Sequence, residues 1–207
     1  MEKLIQQEIS NKINLLPVYH QLAFGIMLSE RFLPNYFAFH FVERRGNPMI
    51  LLNGIDLLKT IVRQESYDSV ELQLIDNLIE DVTPDMDDFP GNVLASFALD
   101  VSSMLYECFS FVKDNKSKHL ELCSRISMNS LEMFVQNRDS LKFDLTLTEL
   151  NEYFKKDVLI GTEIEYQMSL LNELLSDAKI NNKLYIEKTL KAPNIALDAV
   201  RFTRRAG

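Results

Sequence analysis

The residues of this chain that could do chemistry are three histidines, two cysteines and a scatter of carboxylates. His20, His40 and His119 form no i, i+4 pair and sit in neither an H-E-x-x-H nor an H-x-x-E-H arrangement, so they read as surface or capping residues. Cys108 and Cys123 lie inside helical patterns and read as buried, reduced thiols, since a disulfide framework calls for more cysteines. There is no C-x-x-C, no glycine-rich phosphate loop and no G-x-S-x-G elbow. No metal and no cofactor is therefore implied. Among acidic pairs, Asp100 and Glu107 stand seven apart and share one helix face, whereas Glu163 and Glu165 point to different sides. A di-iron carboxylate bundle would need Glu-x-x-His on two helices, and that pattern is absent. Asp100 and Glu107 belong to the stripe Ser96, Asp100, Ser103, Glu107, either the wet face of an amphipathic helix or one wall of a polar groove.

The most distinctive segment is Glu30-Arg31-Phe32-Leu33-Pro34-Asn35-Tyr36. It reads as a helix end with a cation in its last turn, favourable to the helix dipole. A proline restart follows, with Asn35 and Tyr36 in the first turn after a kink. Arg31 is placed to bond a neighbouring helix or the acids at 85–88. A hydrogen-bonded corner that fixes the kink explains the segment more simply than a ligand site.

The elements that must position these residues are helices, because the apolar spacing is helical nearly everywhere. The spacing predicts a first helix over 2–15 and a central one from Val18 to Leu33, with Pro34 interrupting or kinking it. Asn47-Pro48 reads as a cap and first-turn proline, opening a helix with stripe Leu51, Ile55, Leu58, Val62. Asp68 and Glu71 resemble a capping box before Leu72, Ile75, Ile79 and Val82. Residues 83–92, with two prolines and a glycine, read as the clearest loop. Helices over 93–113 and 117–137 follow. Thr146 and Glu149 suit the cap of a short helix to Asp157. Ile164, Met168, Leu171, Leu175 and Ala178 mark the cleanest apolar stripe, and a last helix is expected over 183–191. These elements add up to a single all-α domain spanning 1–207, an irregular or orthogonal bundle of about seven to nine helices.

Composition limits the function classes. The 207 residues carry a net charge of −8, which repels phosphate backbones and argues against nucleic-acid binding. No apolar run reaches the roughly 18 residues of a membrane span, and the N-terminus lacks a signal-peptide pattern, so a cytoplasmic location with no membrane role is expected. Between Gln64 and Val112 there are eleven acids and no lysine or arginine. Such a run is either a solvated face or a docking surface for a basic partner. Phe37, Phe39 and Phe41 read as core, with a homo-oligomer patch as the alternative.

Beyond its physical reading, the chain resembles the YjaG-like family of bacterial all-helical proteins. The likeness is carried by Glu30-Arg31 with Pro34-Asn35-Tyr36 and Phe39, by Asp87-Asp88-Phe89, and by Ala98-Leu99-Asp100 with Leu105 and Glu107. It extends more loosely through 162–178 and Asn194-Ile195, and is thin over 137–157. The resemblance implies an all-α fold, no established reaction, and an association with histidine-kinase signalling through genome neighbourhood. It brings no catalytic residues. The resulting expectation is a non-enzymatic interaction or regulatory protein using an acidic face. Its candidate polar site is Glu30, Arg31, Asn35, Tyr36, Asp87, Asp88, Asp100 and Glu107. One alternative is an immunity-type protein that neutralises a basic toxin. Another is an enzyme in which Glu30, Arg31, Asp87, Asp88 and Asp100 converge on a pocket, around a hard cation with oxygen ligands.

Overall fold

Helical periodicity in the sequence becomes eight α-helices in the structure, a computed structural model that describes residues 3–141 and 145–176. In chain order they are α1 (Lys3–Leu15), α2 (Val18–Glu43), α3 (Pro48–Gln64), α4 (Ser69–Val82), α5 (Val93–Asp114), α6 (Lys118–Arg138), α7 (Leu147–Phe154) and α8 (Val158–Ser176). No strand occurs among the described residues, and the all-α bundle is the architecture. The expected helix over 183–191, the Asn194-Ile195 match, Ala178 and the basic tail Arg201, Arg204 and Arg205 lie outside the described residues.

The starts of the helices are set by local chemistry. The Asn47 side chain accepts from the Met49 N–H, with Pro48 in the first turn, and Asp68 accepts from the Val70 N–H at the start of α4. Thr146 and Glu149 form a reciprocal capping box on α7, which ends at Phe154 rather than Asp157. Residues 83–92 do form the connection between α4 and α5.

The expected interruption at Pro34 is corrected: α2 runs unbroken from Val18 to Glu43 with the proline inside it. The missing N–H and the ring clash cost about 3 kcal/mol. On both sides of the proline, however, Phe32, Leu33, Tyr36 and Phe39 are buried, each contributing about 1.5–3 kcal/mol. Burial outweighs the local penalty, so the helix continues.

Helix α2 packs most extensively on α5, α5 then on α6, and α2 on α3, around one continuous hydrophobic cluster. The close approach of α2 depends on Gly25. A Cβ there would stand 2.7 Å from Leu120 Cδ2 and 2.8 Å from Cys108 Sγ, inside van der Waals contact with both α6 and α5. By length and composition α5 could also cross a membrane. Its composition has a local explanation, because Phe97, Val101, Met104, Leu105, Cys108 and Phe109 all sit at the centre of the bundle.

Helix α8 carries a second correction. It buries Ile160, Glu163, Gln167, Leu170, Leu171 and Leu174, while Ile164, Met168 and Leu175 lie at the edge of the core. The helix is rotated from the all-apolar stripe because Glu163 and Gln167 find polar partners on α2 and α6.

Candidate functional site

The eight polar residues singled out in the sequence fall mainly into three environments, with Tyr36 and Glu30 in contacts of their own. The first is a sealed polar seam where α2, α6 and α8 meet. Arg31 Nη1 lies 2.7 Å from Glu163 Oε2, and both side chains are almost wholly buried. The guanidinium stacks over the Tyr166 ring, 4.1 Å from its centroid. The Gln167 amide donates to Glu163 Oε1 and to Ser127 Oγ, both at 2.9 Å, and accepts from Ser124 Oγ at 2.6 Å. The Arg31–Glu163 contact is an ion pair by distance only, since neither Nη1 nor Oε2 makes a well-aligned hydrogen bond. Burial pushes the Glu163 carboxyl up, against the opposing pull of Arg31, and pushes the Tyr166 hydroxyl up to about 12. Asn35 is buried one turn beyond Arg31. Arg31 thus bonds a neighbouring helix, α8, and not the acids at 85–88.

Tyr36 belongs to a different contact. Its hydroxyl donates to Val82 O at 2.5 Å, at the end of α4, and accepts from the Asn47 N–H at 3.3 Å. Its phenol is pushed up by burial. Gly46 is needed beside it: φ is +69°, and a Cβ would stand 2.2 Å from the Tyr36 hydroxyl. The ring of Phe39 meets Phe89 edge-on at 5.2 Å, so the Asp-Asp-Phe string is anchored through its phenylalanine.

The second environment is the line of half-buried acids on α5. Ser130 Oγ donates a short hydrogen bond to Asp100 Oδ2. Burial raises the Asp100 carboxyl to about 6, with the Ser130 bond opposing. Glu107 Oε2 lies 2.5 Å from His119 Nδ1, and the other ring nitrogen faces Asp114. Glu30 pairs with Lys59 at 2.6 Å. Arg31, Asp100, Glu107 and Glu30 therefore each bond a different partner. Among the described residues no group of three or more His, Cys, Asp or Glu is suited to a metal ion. A groove of about 450 Å³ lies between α1 and α6, lined by Gln6, Ser10, Lys118, Glu121 and Arg125, away from all of these acids.

The third environment is exposed. Of the eleven acids between Gln64 and Val112, Glu65, Asp68, Glu71, Glu80, Asp81, Asp85, Asp87 and Asp88 are exposed. Asp76 is buried and pairs with Lys113 at 2.5 Å. None of the eight exposed acids forms an ion pair with a described residue. Interleaved with them on α4 and just before it are Tyr67, Val70 and Leu74, exposed by 47 %, 75 % and 57 %. Val70 and Leu74 fall off the stripe Leu72, Ile75, Ile79, Val82, which is the signal by which the sequence alone could have found them.

The model of a family described as "Protein of unknown function (DUF416)" matches residues 8–194. This chain belongs to that family. A crystal structure of a DUF416 family protein from Shewanella baltica OS155 superposes with a TM-score of 0.76 over 94 % of this chain and 93 % of that one. At 19 % identity that likeness shows the fold alone. No curated protein matches the sequence. Membership of DUF416 assigns no reaction, so the function has to be read from the surfaces just described.

Proposed function

We propose that this DUF416 protein is a non-enzymatic interaction module that docks a basic partner on the outer face of α4. The observation that carries this reading is the mixed character of that face: Val70 and Leu74 are exposed among Asp68, Glu71, Glu80 and Asp81, none of them ion-paired with a described residue. An apolar centre with a one-signed rim suits a partner with an apolar ridge and flanking lysines or arginines. The placement of two of the acids adds support. Glu80 and Asp81 lie in the last turn of α4, which has no basic residue. Acids at that end oppose the helix dipole, at about 0.3–1 kcal/mol each. They do not serve their own helix, and a partner's cations would relieve them.

The test is affinity capture from the native host at low salt, comparing the wild type with the triple variant Leu74→Ser, Glu80→Lys, Asp81→Lys. The wild type is expected to retain a basic protein that the variant releases. Identical captured sets for the two proteins would sink the proposal. Lys at 80 and 81 should also leave α4 at least as stable, so loss of capture could not be blamed on unfolding.

A further inference from the structure

The groove between α1 and α6 shares one residue, Ser124, with the buried seam and none with the α4 face. Its volume of about 450 Å³ falls within the roughly 300–1,000 Å³ of small-molecule sites. Two of its lining residues are cations. Lys118 and Arg125 are exposed and stand seven apart on α6, on one face two turns distant. Neither forms an ion pair with a described residue. The nearby Lys116 is taken up by Asp114 at 2.7 Å, and Glu121, between the two cations, accepts from Asn14 Nδ2 of α1 at 3.1 Å. Lys118 also sits in the first turn of α6, where a cation opposes the helix dipole and so does not serve its own helix. Across the groove, on α1, the Gln6 amide and the Ser10 hydroxyl are half-buried and bond no described residue. The seam backs the groove: Ser124, 2 % exposed, donates to Gln167 Oε1 at 2.6 Å, and Gln167 is held in turn by Glu163.

We propose that this groove binds a phosphorylated sugar or polyol, its phosphate held by Lys118 and Arg125 and its hydroxyls by Gln6, Ser10 and Glu121. The cation pair selects the anion. A phosphate monoester carries a charge of about −1.5 to −2 at neutral pH, which answers two cations, whereas a single carboxylate answers one. The remaining lining selects the body of the ligand. Gln6 and Ser10 can each donate and accept, and Glu121 only accepts, a set that hydroxyl groups match because they do both. The bond from Asn14 draws Glu121 toward α1, which leaves the cations to the phosphate. A net charge of −8 keeps long phosphate polymers away, so this local pair suits a small ligand that meets nothing else of the surface. The groove and the α4 face are separate, and either can fail without the other.

Isothermal titration calorimetry on the full chain tests this, with glucose 6-phosphate and glycerol 3-phosphate as probes at constant ionic strength. At least one is expected to bind with a Kd of about 1 mM or tighter. The pair Lys118→Gln, Arg125→Gln should weaken that binding at least about tenfold. The pair Arg44→Gln, Arg45→Gln removes the same charge from exposed positions of the α2–α3 connection and should leave Kd within about twofold. The pair Gln6→Ala, Ser10→Ala should weaken the ester by about threefold or more and leave any binding of inorganic phosphate unchanged. Circular dichroism checks that each variant is folded. Absence of binding by either ester up to about 5 mM overturns the proposal. Equal losses in the two charge variants would overturn it as well, since the attraction would then be general. Inorganic phosphate binding as tightly as the esters would reduce the groove to an ion site, and free glucose binding as tightly as its phosphate would remove the role of the cations; either result rejects the assignment.

Discussion

Arg31 is the residue whose loss should be felt most. It is a buried cation held by a buried carboxylate, an aromatic face and little else. Replacing one member of such a pair leaves the other charged and uncompensated, at a cost of about 3–5 kcal/mol. Arg31→Met should therefore shift the urea midpoint sharply downward. Replacing both members, with Arg31→Met and Glu163→Leu, should recover much of that loss, and a double variant no more stable than the single one would contradict it. Asp100 gives a pH dependence. Its folded value, about 6, lies above the ordinary carboxylate range, so the folded state holds the proton more tightly than the unfolded chain. Its stabilising contribution is present below the unfolded value near 4 and is lost as pH rises through about 6. Asp100→Asn should remove that slope and leave the protein about 1–3 kcal/mol more stable than wild type at pH 8. Denaturant curves at pH 4.5 and pH 8 check this, and an unchanged difference between the two pH values would refute it. Of these residue-scale features, Arg31 was legible in the sequence as a cation at a special segment. Its partner was not, because Glu163 sits 132 positions later on a helix whose apolar stripe read well without it.

At the scale of elements, most of the boundaries follow from caps that need only a few neighbouring residues. Asn47 before Pro48, Asp68 before α4 and the Thr146–Glu149 box are local chemistry, and sequence spacing alone found them. That Pro34 would not end its helix was not legible, for the complementary reason. Its penalty is local, but the burial that overrides it comes from α3, α5 and the 83–92 connection folding over α2. Pro34→Ala restores a backbone donor within α2 without disturbing the buried side chains on either side. It should raise stability by about 1–3 kcal/mol, read as a higher melting temperature. A lower melting temperature would mean that the helix needs the proline's geometry. The rotation of α8 had the same origin as the missing Arg31 partner: polar residues can face inward when another helix satisfies them.

At the scale of the whole molecule, the charges are unevenly divided between inside and outside. The cations at Arg31, Lys59 and Lys113 are spent on internal pairs, while most acids of the 64–112 region face water. The folded chain therefore holds its negative charges closer together than the unfolded chain does, and self-repulsion opposes folding. Raising sodium chloride from about 0.02 to about 0.3 M screens distances beyond a few ångströms and should raise the melting temperature by about 2–4 °C. A melting temperature that falls with salt would show that internal pairs, not surface repulsion, dominate. The asymmetry itself was visible in the sequence as eleven acids without a base. Which of them reach the surface depended on which way α4 and α5 turn.

The closeness of α5 and α6 has one further consequence. Cys108 and Cys123 face each other at 4.0 Å, fully enclosed, and burial together with their mutual proximity holds the Cys123 thiol well above its ordinary range. A thiol reagent can reach either sulfur only when the two helices part. The rate of labelling is then a clock for that opening, and comparing it with global unfolding tells whether the hairpin breathes alone or only with the whole bundle. The molecule carries its own gauge of local opening at its centre, with no probe to introduce.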